Sequence, residues 1–147
     1  MNPAEEYADS SFLMSLFIED GNTAAAKRFI SRNPAVLAFN PLHRLEFCNG
    51  LRLRVHRGEI DKPARAAALR RIDEAIEGGR LAHVALPWTD ALRKAEQLSA
   101  DHAERIGSRS ADTLHVAAAM LAGTRRFLSF DIRQRELAKA AGLEVKP

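Results

Sequence analysis

Residues 6–20, "EYADSSFLMSLFIED", decide how this chain folds. A short run ending at Ala8 meets Asp9 and two serines, and then Phe12, Leu13, Leu16 and Phe17 follow at helical spacing. That order reads as a strand, a turn, and a helix capped by Ser10 or Ser11. A carboxylate set directly after a strand has two possible uses. It can cap the helix, or it can face the crevice in which open α/β sheets bind their ligands. The rest of the chain decides between them.

Outward from this unit, strand and helix signals keep alternating. "NTAAAKRFISRN" is a second helix, and "AVLAFNPL", bounded by Pro34 and Pro41, is a short buried strand. "HRLEFCNGLRLRVHRG" is a helix stopping at Gly58, and "DKPARAAALRRIDEAIEGG" is another, with Asp61 as its cap and Pro63 in its first turn. "RLAHVAL" is a strand, followed by one long helix from Pro87 to Gly107. "SADTLHVAAAMLAG" is a small-residue helix capped by Ser110. "RFLSF", "DIRQRELAKAAG" and "LEV" close the series as strand, helix and strand. Such alternation implies a parallel sheet covered on both faces. Residues 1–147 show no linker, repeat or low-complexity segment and are expected to form a single α/β domain.

The bulk composition narrows the class. Apolar residues make up 46% and charged residues 28%, close to the globular average, so disorder is not expected. The one cysteine, Cys48, excludes an internal disulfide and fits a reducing compartment. The acidic start "MNPAEEYADSS" lacks a signal-peptide pattern, and no apolar run is long enough to cross a bilayer. A cytoplasmic protein without a membrane partner is expected. The formal charge is +3, and the basic residues are mostly Arg, clustered at 52–58, 65–71, 124–127 and 132–136. Arg donates two hydrogen bonds to one phosphate, so contact with nucleic acid is compatible with these clusters. The aromatics are few and not interleaved with them, which argues against a base-stacking platform.

Most of the acidic residues lie in charged neighbourhoods and read as solvated surface. Four do not. Asp9 follows the first strand. Glu46 shares a helical stripe with Leu42, Asn49 and Leu53, where a lone carboxylate would need a partner; surface exposure is the alternative. Asp112 opens an apolar helix on the stripe of His115, Val116 and Ala119; its other reading is an acid favoured by the helix dipole. Asp131 ends the strand "RFLSF", and with Gln134 it also fits a capping box, a role compatible with holding a cation. Four oxygen donors without a Cys/His cluster suit Mg²⁺ or Mn²⁺ rather than Zn²⁺. Such ions typically act on phosphate esters.

Competing chemistries lack their residues. There is no Gly-rich phosphate loop, no H-E-x-x-H pair and no G-x-S-x-G elbow. A phosphoryl-aspartate enzyme would want an acid two residues after Asp9, where Ser11 stands. Cys48 reads as an inert core thiol and His115 as a buried imidazole beside the acids.

With these acids named, the sequence resembles the PIN-domain family, and within it the VapC-like toxins of type II toxin–antitoxin pairs. The similarity rests on "YADSSFL", "LEFCNGL", "RSADTLHVAAAMLAG", "RFLSFD" and "RQRELAKAAGLEV", in family order along nearly the whole chain. It implies a three-layer α/β/α sandwich around a mostly parallel sheet and a metal-dependent endoribonuclease. It also implies Asp9, Glu46, Asp112 and Asp131 as catalytic acids holding one or two Mg²⁺ or Mn²⁺ ions, Asp131 directly or through water. Hydrolysis would leave a 3′-hydroxyl and a 5′-phosphate. Ser11 and Ser129 match the family's hydroxyls, Asn49 and His115 would support the site, and Arg44 or Arg109 would steady the RNA backbone. The implied partners are an RNA substrate, a small antitoxin protein and a second copy of the chain. Three alternatives stay open: an RNA-binding module without catalysis, a solitary PIN nuclease without an antitoxin, and an enzyme acting on DNA or small phosphate esters.

Overall fold

The computed structural model describes residues 4–147; residues 1–3, on which part of the reading of the acidic start rests, lie outside the described residues. Five three-residue strands form the sheet: β1 (Glu6–Ala8), β2 (Leu37–Phe39), β3 (Leu81–His83), β4 (Arg126–Leu128) and β5 (Glu144–Lys146). Every pairing is parallel, and the order across the sheet is β3-β2-β1-β4-β5. The first four strands fall inside segments whose sequence predicts them, and β5 overlaps the predicted "LEV" but runs one residue further, to Lys146.

Helices α1 (Ser10–Phe17), α2 (Thr23–Arg32), α3 (Pro41–His56) and α4 (Lys62–Glu77) precede β3. After it come α5 (Trp88–Leu98), α6 (Glu104–Ile106), α7 (Ser110–Leu121) and α8 (Ile132–Ala140). A π-helical turn, Ser99–Ala103, joins α5 to α6, so the expected long helix contains one wider turn before it ends at Gly107, whose φ of 78° suits glycine. Among the described residues, no helix is long and apolar enough to cross a membrane.

Strand alternation separates two cores. Ala8, Leu37, Phe39 and Leu128 face one layer, packed with Phe12, Leu13, Phe47, Leu51 and Ile72 from α1, α3 and α4. Tyr7, Ala38 and Phe127 face the other, packed with Ala95, Leu98, Val116, Ala119 and Leu137 from α5, α7 and α8. The result is the expected α/β/α sandwich. Each fully buried Phe or Leu contributes roughly 1.5–3 kcal/mol, so both layers are needed to hold strands this short. Glu6, whose carboxyl is raised by burial, is buried in β1 and paired with Arg126 across the β1–β4 ladder.

Helix α3 starts at Pro41, two residues before the expected His43, and two helix caps differ from expectation. The cap of α1 is Asp9 itself, whose Oδ1 accepts the Phe12 N–H at 2.8 Å, rather than Ser10 or Ser11. The chain leaves the sheet one residue earlier than the serines: Asp9 still donates its own N–H to Leu128 (3.0 Å), while its carbonyl accepts the Leu13 N–H. At α7 the N-cap is Arg109, and Ser110 is the first helical residue. The Asp61 cap of α4 is as expected, with Oδ1 accepting from the Ala64 N–H at 2.8 Å.

Candidate active site

The strand order sets the position of the site. From β1 the chain moves outward through β2 to β3, then returns to β4 on the other side of β1. This reversal opens a crevice at the carboxyl ends of β1 and β4, the usual ligand position in open α/β sheets. Asp9 leaves β1 there, and Ser129 and Asp131 leave β4 there.

Asp9 is 5% exposed. Its Oδ1 caps α1, and its Oδ2 accepts the Ser129 hydroxyl at 2.5 Å. Burial pushes its carboxyl above the usual carboxylate range, against the bonds from Ser129 and the Phe12 N–H, and nearby Asp131 adds to the rise. Ser129 Oγ also accepts the Asp131 N–H at 3.0 Å. In turn Asp131 Oδ1 accepts the Gln134 N–H at 2.9 Å, so Asp131 caps α8 as the sequence suggests. Ser129, not the Gln134 side chain, takes the Asp131 N–H that a full capping box would use.

Glu46 reaches the same crevice from α3. The buried face of α3 runs through His43, Phe47 and Leu51, so the stripe of Glu46 and Asn49 lies at the rim, with Leu53 41% exposed. The Glu46 side chain is 34% exposed. Its Oε1 accepts from Ser10 Oγ at 2.8 Å and from His115 Nε2. Burial raises this carboxyl, but the His115 and Ser10 contacts more than reverse the effect and hold it below the usual range. His115, in turn, meets the Tyr7 hydroxyl through Nδ1 at 2.7 Å, and that hydroxyl accepts from Asn40 Nδ2 at 3.0 Å. Tyr7, Asn40 and His115 are all buried.

Asp112 stands one turn before His115 on α7, half-buried, with Oδ2 accepting the Arg109 N–H at 2.9 Å. Two groups of contacts result: Asp9 and Asp131 share Ser129, and Glu46 is held by Ser10 and His115, with Asp112 one turn before His115 on α7. The structure does not bring in the other expected residues in the same way. Ser11 is exposed, and the hydroxyl that reaches Glu46 belongs to Ser10. Asn49 is exposed at the rim, as is Arg109 at the start of α7. Arg44 points to the opposite side of α3 and pairs with Asp73 of α4 at 3.5 Å.

Two arginines of the 52–58 cluster, Arg54 and Arg57, line a groove that begins at Glu46. A groove of about 330 Å³ between α1 and α3 runs from Ser10 and Glu46 to Arg54 and Arg57. The Met14 side chain packs over Gly50 here: a Cβ at that position would meet Met14 Cε at 2.7 Å. The periodicity carries the signal, because position 57 is eleven residues after 46, three helical turns on the same face.

The donor chemistry suits a hard cation. Glu46 Oε2, Asp112 Oδ1 and Asp131 Oδ2 have no hydrogen-bond partner among the described residues, and no Lys or Arg there pairs with any of the four acids. Negative charge without a counter-ion and with oxygen donors is what Mg²⁺ or Mn²⁺ balances. Among the described residues, no three acid, His or Cys side chains already converge as a finished cage.

Comparison with known proteins agrees with this architecture. The family model described as the PIN domain matches residues 7–140. No curated protein matches the chain. Among solved structures, it is similar to VapC20 of Mycobacterium tuberculosis, described as a sarcin-ricin loop cleaving toxin. That match has 25% identity, covers 97% of this chain and 99% of the other, and has a TM-score of 0.64. FitAcB from Neisseria gonorrhoeae (14% identity, 97% and 96% covered, TM-score 0.65) and PAE2754 from Pyrobaculum aerophilum (19%, 97% and 84%, 0.62) share the fold. The family match takes in the crevice and all four acids, and on it the chain belongs to the PIN-domain family.

Proposed function

We propose that residues 1–147 form one PIN-like domain acting as a Mg²⁺- or Mn²⁺-dependent endoribonuclease in the cytoplasm. In this reading it is the toxin of a VapBC-type pair, held by a small antitoxin protein. The observation that carries the reading is the crevice at the β1–β4 reversal, where Asp9 and Asp131 share Ser129, Glu46 is held by Ser10 and His115, and none of the three has a Lys or Arg counter-ion among the described residues. RNA as the substrate class rests on the likeness to VapC20 and its sarcin-ricin loop activity. A homodimer belongs to the same reading. Its contact would use α3 and α5, where Leu45 and Leu92 are 66% and 57% exposed.

Asp9, Glu46 and Asp112 would hold the cation, with Asp131 completing the set directly or through water. The cation, when bound, supplies charge neutralisation at the phosphoryl oxygens and a more acidic water. The chain itself keeps Asp9 aimed by two hydrogen bonds, keeps Glu46 ionised, and offers Arg57 to the backbone, with Arg54 beside it paired to Asp20. Single-turnover assays on RNA should show cleavage with Mg²⁺ or Mn²⁺, leaving 5′-phosphate and 3′-hydroxyl ends, and none with EDTA. Cleavage that survives EDTA overturns the proposal. Equal rates on single-stranded DNA or a nitrophenyl phosphate ester would overturn the substrate class.

The groove gives a second expectation. Arg57 lies about 16 Å along α3 from Glu46, at 1.5 Å per residue, far enough to meet a phosphate beyond the scissile one. Arg57→Gln should weaken RNA binding across sequences and lower the salt dependence by close to one charge. Fluorescence anisotropy at several KCl concentrations measures both. An unchanged slope would remove Arg57 from the RNA path.

A further inference from the structure

One chain of buried polar groups spans the sheet edge above β1 and ends on a candidate cation ligand. Asn40 follows β2, Tyr7 lies in β1, His115 lies on α7 and Glu46 on α3. Its two helical members, His115 and Glu46, sit on helices of opposite layers of the sandwich, so the Glu46–His115 contact bridges them.

The directions of the hydrogen bonds are fixed by elimination. Asn40 Oδ1 accepts the His43 N–H at 3.0 Å, so Nδ2 is the group that faces Tyr7. The Tyr7 oxygen thus receives one bond, and its own proton has His115 Nδ1, 2.7 Å away, as acceptor. A proton on Nδ1 would leave the Tyr7 O–H without an acceptor among the described residues. His115 therefore carries its proton on Nε2 and donates it to Glu46 Oε1. Ser10 Oγ donates to the same oxygen at 2.8 Å. Both donors land on Oε1, and Oε2 has no partner among the described residues.

We propose that Tyr7 and His115 are positioning residues: through the order Asn40 to Tyr7 to His115 to Glu46 they lock Oε1 in the protein and present Oε2 to the cation. This rests on the reading of Glu46 as a ligand and adds which oxygen serves and what aims it. Buried groups that orient a metal ligand typically carry a 10- to 100-fold effect on affinity. The Tyr7 ring stacks on Phe127 at 5.7 Å and tilts against His43 at 4.6 Å, so Tyr7→Phe keeps the packing and removes only the hydroxyl.

The test is calorimetric titration of the full chain with MnCl₂. Glu46→Gln should lose at least tenfold in Mn²⁺ affinity, and Tyr7→Phe should lose about tenfold. His115→Gln keeps an N–H where Nε2 stands and should stay within about threefold of wild type, while His115→Leu should match Tyr7→Phe. In ¹⁵N-histidine spectra without metal, His115 should show the Nε2–H tautomer, and Tyr7→Phe should mix the two tautomers. Unchanged binding by Glu46→Gln overturns the ligand reading. Weakened binding by Glu46→Gln with wild-type binding by Tyr7→Phe and His115→Leu overturns the positioning role alone. If Tyr7→Phe does not fold, the contrast between His115→Gln and His115→Leu decides.

Discussion

Asp9→Asn should reduce RNA cleavage by at least about 100-fold while the protein unfolds at the same temperature or a few degrees higher. The two effects come from one cause. Asp9 is buried, its carboxyl is raised by that burial, Asp131 stands near it, and the only hydrogen bonds described for that carboxyl come from Ser129 and the Phe12 N–H. An anion placed this way costs folding energy. The amide removes the charge and keeps both contacts. Asn Oδ1 still caps α1, and its Nδ2 donates to Ser129 Oγ, which has a second lone pair beside the one taken by the Asp131 N–H. Asp9→Ala is the contrasting variant: it loses the cap as well and should fall by about 1 kcal/mol in stability. Differential scanning fluorimetry beside single-turnover cleavage reads both quantities. If Asp9→Asn stays within threefold of wild-type activity, Asp9 is a cap and nothing more.

Asp9 also shows where a sequence stops being legible. Capping and facing the crevice looked like alternatives to be shared between Asp9 and its serines, yet Asp9 does both with different oxygens. The N-cap position was set by where the β1–β4 ladder ends, a long-range fact that local cap preferences do not contain. The strands and helices were readable because the apolar runs of the first four strands each meet a helix start with its own cap or proline, and alternation then left only a covered parallel sheet. The stripe of Glu46 was harder, since α3 carries apolar residues on two sides and its true buried face is headed by a histidine, His43. The partners of His115 were out of reach altogether. Tyr7 is 108 positions away and Glu46 is 69, and nothing in the local pattern of α7 names either one.

His43 should make the protein sensitive to acid in a way that His43→Gln does not. Both of its ring nitrogens are committed to the backbone. Nδ1 accepts the Asn40 N–H at 3.1 Å, which leaves Nε2 to donate to the Ala8 carbonyl at 2.7 Å. A second proton would sit on Nδ1, against the Asn40 N–H. Burial, with His115 nearby, pushes the His43 pKa down to about 3. In the unfolded chain the ring titrates near 6.5, so below that pH the unfolded state takes up a proton that the folded state refuses. Stability is therefore intact above about pH 6.5, falls by up to about 1.4 kcal/mol per pH unit beneath it, and levels off near pH 3. Between pH 7 and pH 4.5 wild type should lose about 2.5 kcal/mol more than His43→Gln in urea unfolding. Asp9 and Glu6, with raised carboxyls, act in the opposite sense, and Glu46, with a lowered one, acts in the same sense. Those contributions are common to both proteins, so the difference isolates His43. Equal slopes would mean that the ring can be protonated in place. The site is tied to the same event, because the Asn40 that His43 anchors is the residue that donates to Tyr7, and acid strong enough to break the first bond loosens the chain that ends on Glu46.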